Sequence, residues 1–592
     1  GVMKSLTLLT FLWLISSTYA SSIMGIDMGT QTFKIGLVSR GKPLEIVTNL
    51  HSKRKTETII LFDQGSRFYG ADASSLQTRK PLQTPGMINV FLGRGMDHPG
   101  VLDVMGKSYP VKTAFNETRG GIDFTVKNAG VYTPEELMAM VISHGREATR
   151  AYTSDGKSTL DPLPTDCVLT VPSFYTQHER SALLTAAELS GVNVLSLIDE
   201  NTAACLHYGM DRVTPQGEEE IVMFYNLGAT SLQVTLARYG SYVVKESGKN
   251  KTVGSFEVIG KGWDATLGGE AWDNVIVNYL ADQFNEQWGK GDVRDQPRAM
   301  VKLRVQAKKV KEVLSANTKI PIYMEGLHDD TDFKSSLTRQ EFEDMCKELF
   351  ERANLPVRKA LDAAGITIDD VNKIELIGGG MRIPKVQEVL KKEVNGLELG
   401  MHINSDESMA LGAAFHGANI STAFRVRKVG MTDVGMFNVG VKVGELQVEE
   451  SKGFLGLGGK KKKEKEDNEE EWGKRATIFK EMGRMGSKKT IAFTHDKDLN
   501  VEVMYEDGEH LPEGTERSIA SYNITGIADF AAKMRKKGLA EAGPKVTVTF
   551  ELTGSGVVRI VKAEAIVEEK VEVEVEEEVE GEEEEEEDED DE

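Results

Sequence analysis

Two glycine-rich turns stand far apart in one chain, Gly25-Ile26-Asp27-Met28-Gly29-Thr30 and Ile377-Gly378-Gly379-Gly380-Met381-Arg382-Ile383-Pro384. Each follows an apolar stretch that reads as a strand, Ser22-Ile23-Met24 and Lys373-Ile374-Glu375-Leu376. A glycine turn lets backbone N–H groups approach a phosphate oxygen with no Cβ in the way. A weaker third turn lies at Asn226-Leu227-Gly228-Ala229-Thr230-Ser231. One such turn would mean little. Together they imply a cleft that grips a polyphosphate from both sides.

A chain of 592 residues has room for several domains, and its 40% apolar content is enough for ordinary cores. From Ile23 to Ala418 strand-like and helix-like segments alternate. Val168–Val171 and Ile221–Tyr225 read as strands; Gln177–Leu189, Ala271–Trp288, Ala299–Ser315 and Glu341–Ala364 read as helices. Alternation of this kind specifies an α/β unit. After Ser421 short alternating strands take over: Val434–Val443, Thr490–Thr494, Val501–Tyr505, Ile519–Ile527 and Lys545–Leu552. A hairpin is expected at Gly554-Ser555-Gly556, leading into Val557–Ala563, and a short helix at Ala528–Lys537. The expected division is an α/β unit over 21–420, a linker over 421–429 and a β-sandwich-like domain over 430–563. Residues 453–473, with Lys460–Lys463 followed at once by acidic residues, read as a solvated loop inside that domain.

The net charge of −22 is concentrated at one end. Residues 564–592 hold twenty Asp or Glu and one Lys, Lys570, which leaves −3 on all that precedes them. That tail reads as disordered. The remainder offers no basic excess for nucleic acid. Three cysteines are too few for a disulfide framework and read as small buried hydrophobes. Lys4, the apolar run Leu6–Ile15 and Ala20 have the layout of a secretory signal over 1–20. About ten apolar residues cannot span a bilayer that needs about twenty. The address expected is the endoplasmic-reticulum lumen, not a membrane. Four glycosylation sequons, at Asn116, Asn250, Asn419 and Asn523, agree with it.

Individual side chains suggest roles. Asp27 inside the first turn suits a magnesium ion, since hard cations take oxygen ligands, though an Asp also stabilises its own turn. Thr30 could give its hydroxyl to phosphate. Glu200 could orient a water or hold metal, which makes it the candidate catalytic residue; alone it reads as a charge at a helix start. Arg382 could lie flat on a purine. Gly268-Gly269-Glu270 forms another turn where backbone could touch a nucleotide. Lys311 and Ser315 share a helix face and could both reach a nucleoside, or could simply be solvated.

In this order the motifs resemble the seventy-kilodalton heat-shock chaperone superfamily, from Ile23 to about Ala563. Gly25–Thr30, with Gly29, matches its first phosphate hairpin; Asn226–Ser231, with Gly228, its second phosphate turn; Glu200–Ala204 its Glu-Pro-Thr-Ala-Ala, with Asn201 for Pro. Gly268–Asn274 matches Gly-Gly-Glu-x-x-Asp-Asn. Gly378–Lys385, with Gly378, Gly379 and Arg382, matches the adenosine motif. Asn404-Ser405-Asp406-Glu407 to Ala414 matches the element that closes the domain. The resemblance implies a two-lobed actin-like ATPase domain that takes ATP or ADP with Mg2+, then a β-sandwich that binds unfolded polypeptides. The signal, the sequons and the acidic insertions, with Val310–Asn317, point to the large endoplasmic-reticulum branch, which exchanges nucleotide on a BiP-type partner.

The departures bear on chemistry. The Lys that ordinary members point at the γ-phosphate aligns with Asn89. Two family carboxylates align with Asn226 and Gln233, and one glycine with Ala229. Loss of one such charge-stabilising group costs about a hundredfold or more in rate. The expectation is nucleotide binding with weak or no hydrolysis. A hydrolysis-coupled ATPase chaperone is the alternative, and a sugar kinase of the same fold is disfavoured by the β-rich 430–563 region.

Overall fold

A computed structural model describes residues 22–106, 109–154, 162–246, 248–446, 472–506 and 511–568. The expected signal segment, nearly all of the insertion and most of the acidic tail lie outside them.

Two six-stranded sheets form two lobes on one plan. In the first, Ser22–Met28 pairs antiparallel with Thr32–Ser39 and parallel with Asp166–Val171. In the second, Glu220–Leu227 pairs antiparallel with Leu232–Glu246 and parallel with Lys373–Ile377. Both lead strands are buried along nearly their whole length, as strands covered on two faces must be. Each hairpin therefore carries its glycine turn at the sheet's end, facing the other lobe. Separate cores fill the lobes, one around Phe91, Phe124 and Leu169, the other around Trp272, Phe284 and Phe333.

The lobes are joined where helix Ser408–Ile420 crosses helix Glu200–Gly209 and the strand Ser22–Met28. Only glycine permits this approach. A Cβ on Gly412 would sit 1.8 Å from the Ala203 carbonyl oxygen, and one on Gly25 would sit 2.0 Å from the Ala414 nitrogen.

The second domain is a β-sandwich. Val439–Glu445, Gly473–Phe479, Leu499–Tyr505 and Ser518–Ile524 form one sheet; Ser487–Thr494, Lys545–Leu552 and Val558–Ile566 form the other. Alternate residues of Leu499–Tyr505 and Lys545–Leu552 point into a shared core of Val501, Val503, Val546, Val548 and Phe550. The short helix falls at Ile527–Lys536. Cys167, Cys205 and Cys346 are buried and not disulfide-bonded.

Three boundaries differ from the sequence reading. Glu341–Ala364 is not one helix but parts of three, Arg339–Met345, Lys347–Arg352 and Leu355–Ala364. Cys346 leaves helical geometry at φ −100° and ψ 12°, and Pro356 occupies the first turn of the third helix, where a missing N–H costs nothing. The final strand runs to Ile566, into the first residues of the acidic tail. Gly430–Thr432, expected with the sandwich, instead adds an edge strand to the second lobe, parallel to Ser255–Glu257.

The sandwich rests on the first lobe. The Tyr505 hydroxyl accepts from the Gln177 N–H at 2.7 Å, the Gln177 side chain exchanges two hydrogen bonds with the Val558 backbone, and Arg180 donates to the Ser555 carbonyl at 3.1 Å.

Candidate functional site

The cleft between the lobes encloses about 400 Å³. Asp27, Gly29, Thr30, Glu200, Gly228, Gly269, Lys311, Ser315, Gly378, Gly379, Arg382 and Asp406 all line it. Gly268 and Glu270 lie directly behind: a Cβ on Gly268 would meet the Ala229 oxygen at 2.4 Å, and the Glu270 N–H donates to that oxygen at 2.8 Å. The two hairpin tips touch, with the Thr30 and Thr230 hydroxyls 3.0 Å apart. Gly378 holds φ +84°, and a Cβ there would lie 2.2 Å from the Leu227 carbonyl. That turn is therefore closed to any other residue.

Pairing within the cleft is dense. Lys311 Nζ lies 2.8 Å from Asp273 and donates to the Gly269 carbonyl, and the Ser315 hydroxyl folds back on the Lys311 carbonyl at 3.0 Å. Glu270 accepts from Gln31, which also accepts from Lys308. Arg382 is held over the cleft mouth by Asp406 at 2.9 Å, with much of its guanidinium face exposed. Lys55 also pairs with Asp406.

Asn89 and Asn226 line the cleft, and Gln233 lies directly behind Glu200. Asn89 donates its amide to the Met28 carbonyl and the Thr30 hydroxyl, and its Oδ1 is buried without a partner. Asn226 Oδ1 is likewise buried and unpartnered. Gln233 accepts from Ser173 and donates to Glu200 at 2.6 Å.

Glu200 has its carboxyl pushed up to about 8, first by burial and then by the negative charge of Asp27, against the Gln233 hydrogen bond. At neutral pH it is mostly protonated and makes a poor general base. The folded state holds a proton that the unfolded chain releases near pH 4.5, so stability falls as pH rises from there towards 8. Glu200→Gln is expected to melt with the wild type near pH 4.5 and above it at pH 8, the gap being on the order of a few kcal/mol. Parallel melting curves across that range would contradict this.

A magnesium ion at Asp27, as expected from the sequence, would have to displace an ammonium already held there. Asp27 Oδ2 accepts from the Lys34 ammonium at 2.8 Å and Oδ1 from the Thr170 hydroxyl at 3.1 Å. Asp199, next in line, is taken by Arg180 and Lys261. Among the described residues, no three carboxylate, His or Cys side chains converge on one point. Lys34 was missed in the sequence. The available signal was a lysine inside an otherwise apolar strand, directly opposite Asp27 in the hairpin register.

The family profile described as Hsp70 protein matches residues 23–592. Heat shock 70 kDa protein 17 of Arabidopsis thaliana is 33% identical over 95% of this chain and 62% of its own length. Hypoxia up-regulated protein 1 of Homo sapiens is 34% identical over 95% of this chain and 54% of its own. The Xenopus tropicalis protein of that name is 33% identical over 94% and 83%. This chain thus spans little more than half of the first two relatives. With two lobes closed on a glycine-lined cleft and a β-sandwich behind them, the chain belongs to the Hsp70 family.

Proposed function

We propose that this large Hsp70-type chaperone binds ATP and ADP in the cleft, hydrolyses ATP weakly or not at all, and works in the endoplasmic-reticulum lumen. There it accelerates nucleotide exchange on a BiP-type chaperone and holds unfolded polypeptides on its β-sandwich. One observation carries the reading: every glycine turn faces one cavity lined by Asn89, Asn226 and a mostly protonated Glu200, to which Gln233 donates from behind. Binding surfaces are intact while the charges that would drive phosphoryl transfer are amides. The docked sandwich supports a form in which nucleotide-held lobes present one fixed surface to a partner.

Among the described residues, no helix is long and apolar enough to cross a membrane. Of the four sequons, Asn250 and Asn523 are exposed. Asn419 is the poorest glycan acceptor, since its amide donates to the Val429 carbonyl from within a helix.

Two measurements test the proposal. Release of labelled ADP from a BiP-type chaperone should quicken when this protein and ATP are added; unchanged release removes the exchange role. Single-turnover hydrolysis should run at least about a hundredfold slower than in an ordinary Hsp70. Comparable rates would favour the hydrolysis-coupled chaperone instead.

A further inference from the structure

Lys34 projects from the strand Thr32–Ser39 under the first hairpin and lines the same cleft as Gly29, Glu200, Gly228 and Gly379. Its Nζ would be 3.8 Å from a Cβ on Gly29, which puts the ammonium directly beneath the turn whose N–H groups face a phosphate. It is buried. Burial works against its charge, but Asp27, with smaller help from Asp406, outweighs it and holds the ammonium charged. The same cleft is lined by the amides of Asn89 and Asn226 and by the mostly protonated Glu200, none of which carries a full charge at neutral pH. Lys34 and Asp27 are thus a cation and an anion already in contact, in a cleft that Lys55, Lys308, Lys311, Arg382 and Asp406 also line. A divalent ion entering there would have to displace Lys34 from Asp27. A nucleotide's terminal phosphates need only compete with Asp27 for an ammonium that has three donors.

We propose that Lys34 is the cation that meets the terminal phosphates of the bound nucleotide, taking the place of a metal ion. This rests on the nucleotide reading above. It also supplies a positive charge that the amide of Asn89 cannot, reaching the phosphates from the hairpin's own second strand. A fixed ammonium tethered to a carboxylate neutralises ground-state phosphate charge. It cannot follow the transferring group as a coordinated ion does, which agrees with binding uncoupled from rapid turnover.

The test is calorimetric titration of the full chain with ADP and ATP, in Mg2+ and in EDTA. The wild type is expected to bind in both, with affinities within about threefold, because a metal contributes little where it does not bind. Lys34→Met, which keeps the apolar stem, should lose at least about tenfold in EDTA, the scale of one charge-assisted hydrogen bond. Asp27→Asn gives a second reading with opposite sign. It frees Lys34 for phosphate, so affinity in EDTA should hold or rise, whereas removal of a metal ligand would weaken binding in Mg2+. Circular dichroism of each variant establishes that it is folded. Wild-type affinity that collapses in EDTA, with Lys34→Met unchanged, overturns the inference and leaves nucleotide binding standing. No nucleotide affinity under any condition overturns both.

Discussion

Lys261→Met is expected to release the β-sandwich from the first lobe. Lys261 is completely buried and joins Asp199 at 2.7 Å to Asp433 at 2.6 Å. Asp199 also holds Arg180, which donates to the Ser555 carbonyl on the sandwich. One continuous ionic chain therefore links the second lobe, the strand that ends beside Glu200, and both ends of the β-domain. Its charges are mutually enforced. Burial opposes the Lys261 ammonium, and Asp199 and Asp433 overcome it; burial opposes the Asp199 carboxylate, and Lys261 and Arg180 overcome it. Deleting one partner of a buried pair costs about 3–5 kcal/mol, because the survivor is left charged without compensation. Asp199 keeps Arg180, so the penalty falls mainly on Asp433. The chain can relieve it by undocking and wetting that carboxylate. The expected signature is rapid proteolysis within 433–438, between the edge strand and the sandwich, and a larger radius in solution scattering. A variant as compact and resistant as the wild type would show that docking does not depend on this lysine.

Gly412→Ala is expected to be the most damaging single-methyl substitution in the molecule. The added carbon would lie 1.8 Å from the Ala203 carbonyl oxygen, with more backbone of Ala203 within 3.1 Å. Backbone cannot swing aside as a lysine tip can. Helix Ser408–Ile420 or helix Glu200–Gly209 must move, at about 3 kcal/mol or more. The second helix begins with Glu200 and the first follows Asp406, so nucleotide affinity should fall with stability. Gly554→Ala is the matched control: its Cβ meets nothing within 4 Å. That variant should stay within about 0.5 kcal/mol of wild type in urea unfolding. Equal midpoints for the two variants would refute the steric account.

The hairpins were legible because local rules fix them. An apolar strand, a glycine turn and a second strand specify one another within a dozen residues, and two such units with a third glycine turn in one α/β chain have few ways to coexist. The sandwich was legible for the same reason, from alternation alone. What could not be read depends on approach across long sequence separations. Nothing near Gly412 announces the Ala203 carbonyl, and nothing near Lys261 announces Asp433. Gly430–Thr432 was grouped with the sandwich because its neighbours alternate, yet the open edge of Lys249–Asp264 captured it. Glu341–Ala364 kept helical periodicity through two breaks because its apolar face persists while the backbone turns. Lys34 lies between these cases. Its opposition to Asp27 follows from the hairpin register, but its meaning appears only when the cleft closes above it.

The edge strand Gly430–Thr432 stitches the sandwich's leading end into one jaw, while Tyr505, Ser555 and Val558 rest on the other. The module straddles the hinge like a bracket bolted to both leaves of a door. Any swing of the jaws must shear one of these two seams, so jaw angle and module position cannot vary independently. Whatever wedges the jaws apart is thereby felt at the far side of the molecule without a separate relay.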